Sequence, residues 1–295
     1  TDCDTCLVIG SRLGSMGTDS FRFPAQGTRI IHIDVDPMTL GCTYREEVSI
    51  LGDARIALDM LLDAVVQAKV PRSTDWTTTV QGHLANWREA VLKAAATTII
   101  GGRLNPYFVM GCLDEVVQGD DILVSDTGFM AAWAATLVDQ KTAGRNFLRA
   151  AGSLGWAFPG GLGAKLAAGP NRKVTTLIGD GGLGYHLADL ETALRLKLPV
   201  VTVVMNNAAF GFSYQVQKNL QNERCPEAVE FMDLDFATIA KAFGGHGERV
   251  PDPDQVIPAI RRAEDSGKPA IVDIAVTRDS QPPVSRIHAD GKRDI

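Results

Sequence analysis

Apolar residues alternate along most of the chain between two patterns. Short β-branched runs bounded by Gly, Asp or Pro read as buried parallel strands at residues 6–9, 29–35 and 48–51. Asp53 then stands where a helix cap belongs, ahead of a helix over 54–66 with Leu58, Leu61, Leu62 and Val65 on one face. Residues 71–75 read as a linker and 76–96 as a connecting helix. From about residue 103 the alternation resumes. A helix opens at Pro106 behind Asn105, with proline at its first position. Strands are predicted at 122–125, 173–178, 200–205, 247–250 and 270–276, and helices at 128–137, 155–168, 187–196, 236–243 and 255–265. This order predicts a doubly wound α/β architecture with mainly parallel sheets covered on both faces. In such sheets ligands bind beyond the carboxyl ends of the strands.

The expected organisation is a partial Rossmann-like α/β domain over 1–66, a linker and helix over 67–102, a second α/β domain over 103–280 and a polar tail over 281–295. The tail reads as a disordered end or as a lid. Three strands amount to half of a doubly wound sheet, too little for a domain by itself. A buried-type strand so near residue 1 leads to the expectation that polypeptide upstream was cut, encoded separately or left out.

Composition narrows the picture by exclusion. The 295 residues are 45% hydrophobic and 22% charged, as in a soluble globular protein. No apolar stretch approaches the roughly 20 residues that cross a bilayer. The net charge is −6 and basic residues are scattered, so neither nucleic acid nor an anionic membrane is an expected partner. A bound anion must be held locally, by backbone N–H groups, a helix end or a metal. Five cysteines, an odd number, point to a reduced, cytoplasmic protein. Cys3-x-x-Cys6 has no second cysteine pair or histidine pair to complete a metal site. His32 reads as a histidine satisfied in a hydrogen-bond network, and His186 as a helix cap or a group near substrate. There is no Gly-x-Ser-x-Gly elbow and no Walker lysine motif.

The informative chemistry lies in loops that follow strands. Gly179-Asp180-Gly181-Gly182 ends one strand and precedes a helix. Its glycines are expected to let backbone approach a ligand, with helix N–H groups directed at the same place. A carboxylate beside such an anion nest is repulsive unless a cation lies between, so Asp180 suggests Mg²⁺ bridging to phosphate. The next strand ends in Asn206-Asn207-Ala208-Ala209-Phe210-Gly211. The Asn207 amide oxygen and the Ala209 carbonyl can join Asp180 as hard oxygen ligands.

Gly179-Asp180-Gly181, separated by residues 182–205 from Asn206-Asn207, resembles the thiamin-diphosphate motif of ThDP-dependent 2-oxo acid enzymes, on the acetolactate-synthase-like branch. Residues 153–165, beginning Ser153-Leu154-Gly155, are similar to the segment under the cofactor. That match implies that Leu154 props the cofactor into its bent shape and that the Gly152 carbonyl accepts from its 4′-amino group. Asp126-Thr127-Gly128-Phe129-Met130 resembles a second diphosphate contact through Thr127 and Gly128, with a plain helix N-cap as the alternative. Gly181, Gly182, Asn207, Phe210 and Gly211 complete the implied cofactor set, and Asp180, Asn207 and Ala209 the metal set. Ile9-Gly10-Ser11-Arg12-Leu13-Gly14 and His32-Ile33-Asp34-Val35-Asp36-Pro37 resemble the central domain of the same enzymes, entered partway through. That domain binds FAD or a nucleotide in some members. Arg12-Leu13-Gly14 departs from the Arg-Phe-Asp-Asp pattern of FAD binders, so FAD is left open.

The resemblance implies an enzyme that makes or breaks a C–C bond beside the carbonyl of a 2-oxo acid. It also implies a partner. Members place a pyrimidine-binding domain, with a glutamate that activates the cofactor, ahead of the central domain. No acid in this chain matches that glutamate: Glu191 is on the wrong helix, and Glu46 and Glu47 lie in the central segment. The expectation is half of a split or cleaved enzyme, a hetero-tetramer with a second polypeptide, and no certain catalytic residue in this chain. Carboligase is preferred. Decarboxylase, 2-hydroxyacyl-CoA lyase or oxalyl-CoA-decarboxylase-like activity, a non-catalytic ThDP-binding subunit and an unrelated nucleotide-binding domain are the alternatives. Val216 stands where acetohydroxyacid synthases carry a pocket tryptophan, and Phe210, Phe212 and Tyr214 suggest an aromatic pocket or helix packing.

Overall fold

A computed structural model describes residues 3–15, 17–71, 74–144, 146–150, 152–219 and 225–283. The predicted tail falls almost wholly outside these residues, as do Arg72 and Ser73 of the predicted linker. The chain divides into two compact units, Thr1–Gln81 and Gly82–Ile295.

In the first unit, strands β1 (Thr5–Ile9), β2 (Arg29–Asp34) and β3 (Val48–Leu51) pair in parallel in that order. Helix α1 (Ala54–Gln67) follows, and Asp53 caps it by accepting from the Arg55 and Ile56 N–H groups. Parallel pairing agrees with the pattern of the sequence, but burial does not. Val8, Ile30 and Ile33 are the buried apolar side chains here, every residue of β3 is exposed, and α1 buries none. Three strands and one helix cannot enclose both faces of a sheet, so the apolar runs stay open within this unit. His32 is buried and its Nδ1 lies 2.5 Å from Glu46 Oε1, as a network histidine should. Its Nε2 makes no hydrogen bond and stands 3.8 Å from Asp34.

Helix α2 (Thr74–Ala95) begins inside the predicted linker and is followed by a short antiparallel pair, β4 (Ile99–Ile100) and β5 (Arg103–Leu104). Next come α3 (Pro106–Val116), β6 (Ile122–Ser125), α4 (Phe129–Leu137), β7 (Phe147–Arg149) and α5 (Ala157–Ala168). Then follow β8 (Val174–Gly179), α6 (Asp180–Gly184), α7 (Asp189–Arg195), β9 (Val201–Asn206) and α8 (Gly211–Asn219). The last elements are α9 (Phe236–Phe243), β10 (His246–Val250), α10 (Val256–Asp265) and β11 (Ala270–Ala275). Six parallel strands form one sheet in the order β10-β11-β9-β8-β6-β7.

Neighbouring residues on each central strand enter different cores, as the period of two requires. Leu123, Val203 and Val272 join Leu113, Trp133 and Ile260 from α3, α4 and α10. Ile122, Val204 and Ile271 join Phe158, Leu190 and Phe236 from α5, α7 and α9. Asn105 anchors α3, accepting from the Tyr107 N–H and donating to the Ala94 and Thr97 carbonyls.

The structure departs from expectation at short elements. β7 has three residues, too few to show a period. The predicted helix over 187–196 is preceded by a separate five-residue turn of helix, α6, that starts at Asp180 itself. β8 and β9 run one residue past their predicted ends, to Gly179 and Asn206.

Helix α5 lies close on β8. A methyl group at Gly161 would stand 2.3 Å from Thr176 Oγ1, whereas one at Gly163 would meet nothing within 4 Å. Gly161→Ala is therefore expected to lower stability by about 1–3 kcal/mol through overpacking. Gly163→Ala, on the open side of the same helix, should raise it by about 0.5–1 kcal/mol. Urea unfolding of both variants checks the pair; equal changes would mean that α5 does not press on the sheet there.

Candidate functional site

β8 and β9 are adjacent and parallel, with Gly179 opposite Met205, so the loops after them leave the sheet side by side. Asp180 begins α6 and is 4% exposed. The Ala209 N–H, at the far side of the second loop, donates to Asp180 Oδ2 at 3.1 Å and to Asn207 Oδ1 at 3.0 Å. Two side-chain oxygens expected to hold a metal thus converge on one donor. The bend that brings them together includes Ala208 at φ +54°, a left-handed conformation unusual for alanine. The Asn206 side-chain oxygen accepts from the Ala208 N–H at 3.2 Å and holds that turn.

Burial drives the Asp180 carboxyl up to about 7, despite hydrogen bonds from the backbone of Gly181, Ala209 and Asn207 that favour the anion. A divalent ion would supply the missing positive charge. The donors at hand are one carboxylate, one amide oxygen and the Ala209 carbonyl, a hard oxygen set of the kind Mg²⁺ takes. Among the described residues no cluster of three or more His, Cys, Asp or Glu could hold a metal. The residues therefore suit a hard ion whose other ligands come from an anion or water.

A cavity of about 430 Å³ opens over these loops. Thr127, Gly128, Leu154, Gly181, Gly182, Phe210 and Gly211 line it beside Asp180, Asn207 and Ala209; Gly152 does not. Leu154 is 38% exposed and so free to touch a ligand. Gly128, at φ +67°, is the residue before α4. Phe129 and Phe212 meet edge to face at 5.6 Å on the cavity wall, and Phe210 packs between Tyr185 and Phe231. Tyr214 is not part of the wall and lies under the Arg278 guanidinium. Val216 and His186 also stand outside the wall, and His186 Nδ1 pairs with Asp189 at 3.0 Å. Glu191 pairs with Arg195, and Glu46 is taken by His32, Ser49 and the Gly41 N–H. The lining contains no Arg, Lys or His among the described residues.

The glycines of the first loop, whose backbone lines the cavity, are also required by packing. A Cβ at Gly181 would stand 2.6 Å from the Phe210 ring, and one at Gly182 would stand 2.4 Å from Asp126 Oδ2. Their side-chain directions are filled by protein rather than kept open for ligand. Asp126, which opens the segment read as a second diphosphate contact, has a role that sequence reasoning missed. It is fully buried, and both its oxygens accept from the Gly155 N–H, at 3.0 and 2.9 Å, with Ala157 at 3.3 Å. It ties the end of β6 to the Leu154 loop while packing on Gly182. Burial raises its carboxyl, against the backbone hydrogen bonds that lower it. An acid at the first position after a strand was the available signal.

Comparison with known proteins agrees with this geometry. The family model for the thiamine pyrophosphate enzyme C-terminal TPP binding domain matches residues 126–274, and that for the central domain of thiamine pyrophosphate enzymes matches residues 1–61. A probable acetolactate synthase large subunit from Methanocaldococcus jannaschii is 28% identical over 284 residues, which are 94% of this chain and 47% of the relative. The acetolactate synthase large subunit of Corynebacterium glutamicum is 30% identical over 288 residues, 94% of this chain and 45% of its own. Pyruvate oxidase from Lactiplantibacillus plantarum is 29% identical over 267 residues, 88% and 42% respectively. The chain thus spans about half the length of the curated relatives it matches. No described helix is long and apolar enough to cross a membrane. With the C-terminal TPP-binding model spanning half of the chain and both the Asp180 and the Asn207 loops, and the central-domain model ahead of it, the chain belongs to the thiamine pyrophosphate enzyme family.

Proposed function

We propose that this chain is the diphosphate- and Mg²⁺-binding part of an acetolactate-synthase-like carboligase acting on a 2-oxo acid. The observation that carries the reading is the Ala209 N–H shared between Asp180 and Asn207. Asp180, Asn207 and the Ala209 carbonyl hold the ion. Backbone of Thr127, Gly128, Gly181 and Gly182 meets the diphosphate. Leu154 supports the bent cofactor, Phe210 and Gly211 close the wall, and the Gly152 carbonyl, outside the cavity lining, would take the cofactor's amino group. When bound, thiamin diphosphate supplies a carbon nucleophile that adds to a carbonyl and an electron sink that holds the pair released when a C–C bond breaks. The chain's own residues orient that group and exclude water, with an aromatic and aliphatic wall that strengthens electrostatics at the reacting carbon.

A second polypeptide carrying the pyrimidine-binding domain and its activating glutamate completes the site, as a hetero-tetramer. Support comes from the cavity lining, which holds no glutamate among the described residues. Carboligation is favoured because two of the relatives compared above are named acetolactate synthase large subunits.

Asp180 generates a pH prediction. Its folded-state carboxyl titrates at about 7, above the ordinary carboxylate near 3.8. The ligand-free fold therefore loses stability from this group as pH rises from about 4 to 7, by on the order of 4 kcal/mol in full above that. A bound cation reverses the penalty. Mg²⁺ with thiamin diphosphate should raise the melting temperature more at pH 8 than at pH 6. Asp180→Asn should abolish that shift and make the ligand-free chain more stable than the parent at pH 8. Equal shifts at both pH values, or a shift kept in the variant, count against a metal at this carboxylate.

Turnover separates a catalytic from a non-catalytic chain. Co-expression with the product of a neighbouring gene should yield a complex that consumes pyruvate only with both thiamin diphosphate and Mg²⁺. Full turnover by a preparation whose mass spectrum contains no other chain would refute the need for a partner. A complex that binds the cofactor without consuming any 2-oxo acid would refute the catalytic role.

A further inference from the structure

We infer that Asp273, far in sequence from both site loops, is the positioning residue for the metal loop: its carboxylate fixes which way the Asn206 side chain faces, and Asn206 sets the backbone that presents Asn207 and Ala209. The inference rests on reading that loop as a holder of Mg²⁺ with thiamin diphosphate. Neither Asp273 nor Asn206 lines the cavity.

β11 lies beside β9 in parallel, which sets Asp273 two residues short of the partner of Asn206. Both side chains are fully buried. The hydrogen-bond partners of Asp273 are donors. Its Oδ1 accepts from Asn206 Nδ2 at 3.0 Å, its Oδ2 accepts from the Phe236 N–H at 3.0 Å, and Arg249 Nη1 stands 3.6 Å away. Asn206 Nδ2 donates a second time, to the Leu234 carbonyl at 2.9 Å. Reversing the Asn206 amide would turn its oxygen onto a carboxylate and a carbonyl, and its NH₂ onto the Ala208 N–H. Buried groups left facing like groups are costly. The amide is therefore locked with its oxygen toward Ala208.

That lock has a consequence at the site. The Asn206 oxygen accepts from the Ala208 N–H and holds Ala208 at φ +54°. The left-handed residue turns the chain so that the next N–H, that of Ala209, reaches Asp180 and Asn207. The first asparagine of the pair is thus a turn-former and the second faces the cavity. Arg103 holds the same place from outside, donating to the Asn206 carbonyl at 3.3 Å and to Asp233, which also receives Arg249.

Amide hydrogen exchange on the ligand-free full chain tests the lock without any cofactor. Asp273→Asn keeps an acceptor for the Phe236 N–H but can no longer dictate the Asn206 orientation. Exchange at Ala208 and Ala209 should rise about tenfold, the loss of one strong hydrogen bond, while Phe236 stays protected. The exchanged pair Asn206→Asp with Asp273→Asn restores a carboxylate facing Ala208 and a donor between the two positions. It turns a carboxylate oxygen onto the Leu234 carbonyl, which keeps Arg249 Nη1 as a donor, so it should melt below the parent and yet recover protection at Ala208 and Ala209. If Asp273→Asn does not fold, Asn206→Ala leaves Asp273 with Phe236 and Arg249 and should give the same local rise. Unchanged exchange at Ala208 and Ala209 overturns the inference. So does exchange that rises everywhere in proportion to lost stability, or an exchanged pair that does not recover protection.

The link to the ion is read by electron paramagnetic resonance with Mn²⁺ as the probe, in the presence of thiamin diphosphate. Asp273→Asn should weaken Mn²⁺ about tenfold and the exchanged pair should recover it. Equal Mn²⁺ affinity in parent and Asp273→Asn overturns this inference alone. A parent chain that binds no Mn²⁺ under these conditions overturns the proposed metal site, and the link from Asp273 to an ion with it.

Discussion

One buried carboxylate sets the terms for the second unit. Asp180 sits at the end of a central strand, out of water, and its pKa is driven upward by desolvation with no neighbouring cation among the described residues to answer it. Backbone N–H groups offer partial relief, and the Ala209 N–H is the one that also reaches Asn207. An anion so placed is a poor stabiliser of a fold and a good ligand for a hard divalent ion. The parallel pairing of β8 and β9 makes this possible, since it delivers both loops to the same edge of the sheet.

The loops are shaped by packing as much as by any ligand. Gly181 accommodates Phe210, Gly182 accommodates Asp126, and Gly155, at φ +87°, accommodates the Gly182 carbonyl and the His186 ring. Larger residues at these positions would push apart the elements that carry Asp180, Leu154 and Phe210. Asp126 adds polar bonds between β6 and the Leu154 loop at the same junction. Three strand ends, β6, β8 and β9, are in this way drawn into one floor. A ligand resting on that floor meets backbone held from below rather than free loops.

Much of this was legible in the sequence, for physical reasons that also mark the limit. Runs of Val, Ile and Leu broken by Gly and Asp located the central strands, and strand alternation with helices implied their parallel order. Asp180 and Asn207 could be paired because each is tied by chain position to the end of a neighbouring strand. Asp273 and Asn206 could not be paired in that way. Their contact depends on β11 lying beside β9, a register that no local pattern encodes. Asp126 escaped for the same reason, since its partners lie some thirty positions away, at Gly155 and Ala157. The first unit shows the opposite error. Apolar runs there were read as buried strands, yet a run records a need for cover and says nothing of what provides it. Leu51, Met60 and Leu62 remain exposed in the unit itself.

The character of the cavity wall constrains how an anion can be held there. Its ionisable carboxylates are Asp126 and Asp180, and no basic side chain among the described residues stands opposite them. A diphosphate in this place would meet two acids before it met any cation of the chain. Backbone N–H dipoles soften that repulsion but carry only partial charge. On the proposed reading the balance comes from an ion bound together with the anion, which would couple the two ligands thermodynamically: each would strengthen the other's binding by the same factor. The aromatic pairs around the floor would increase that coupling, because excluding water raises the strength of each charge–charge contact. An acidic protein with pI near 5.4 can in this way hold a polyanion without a basic patch.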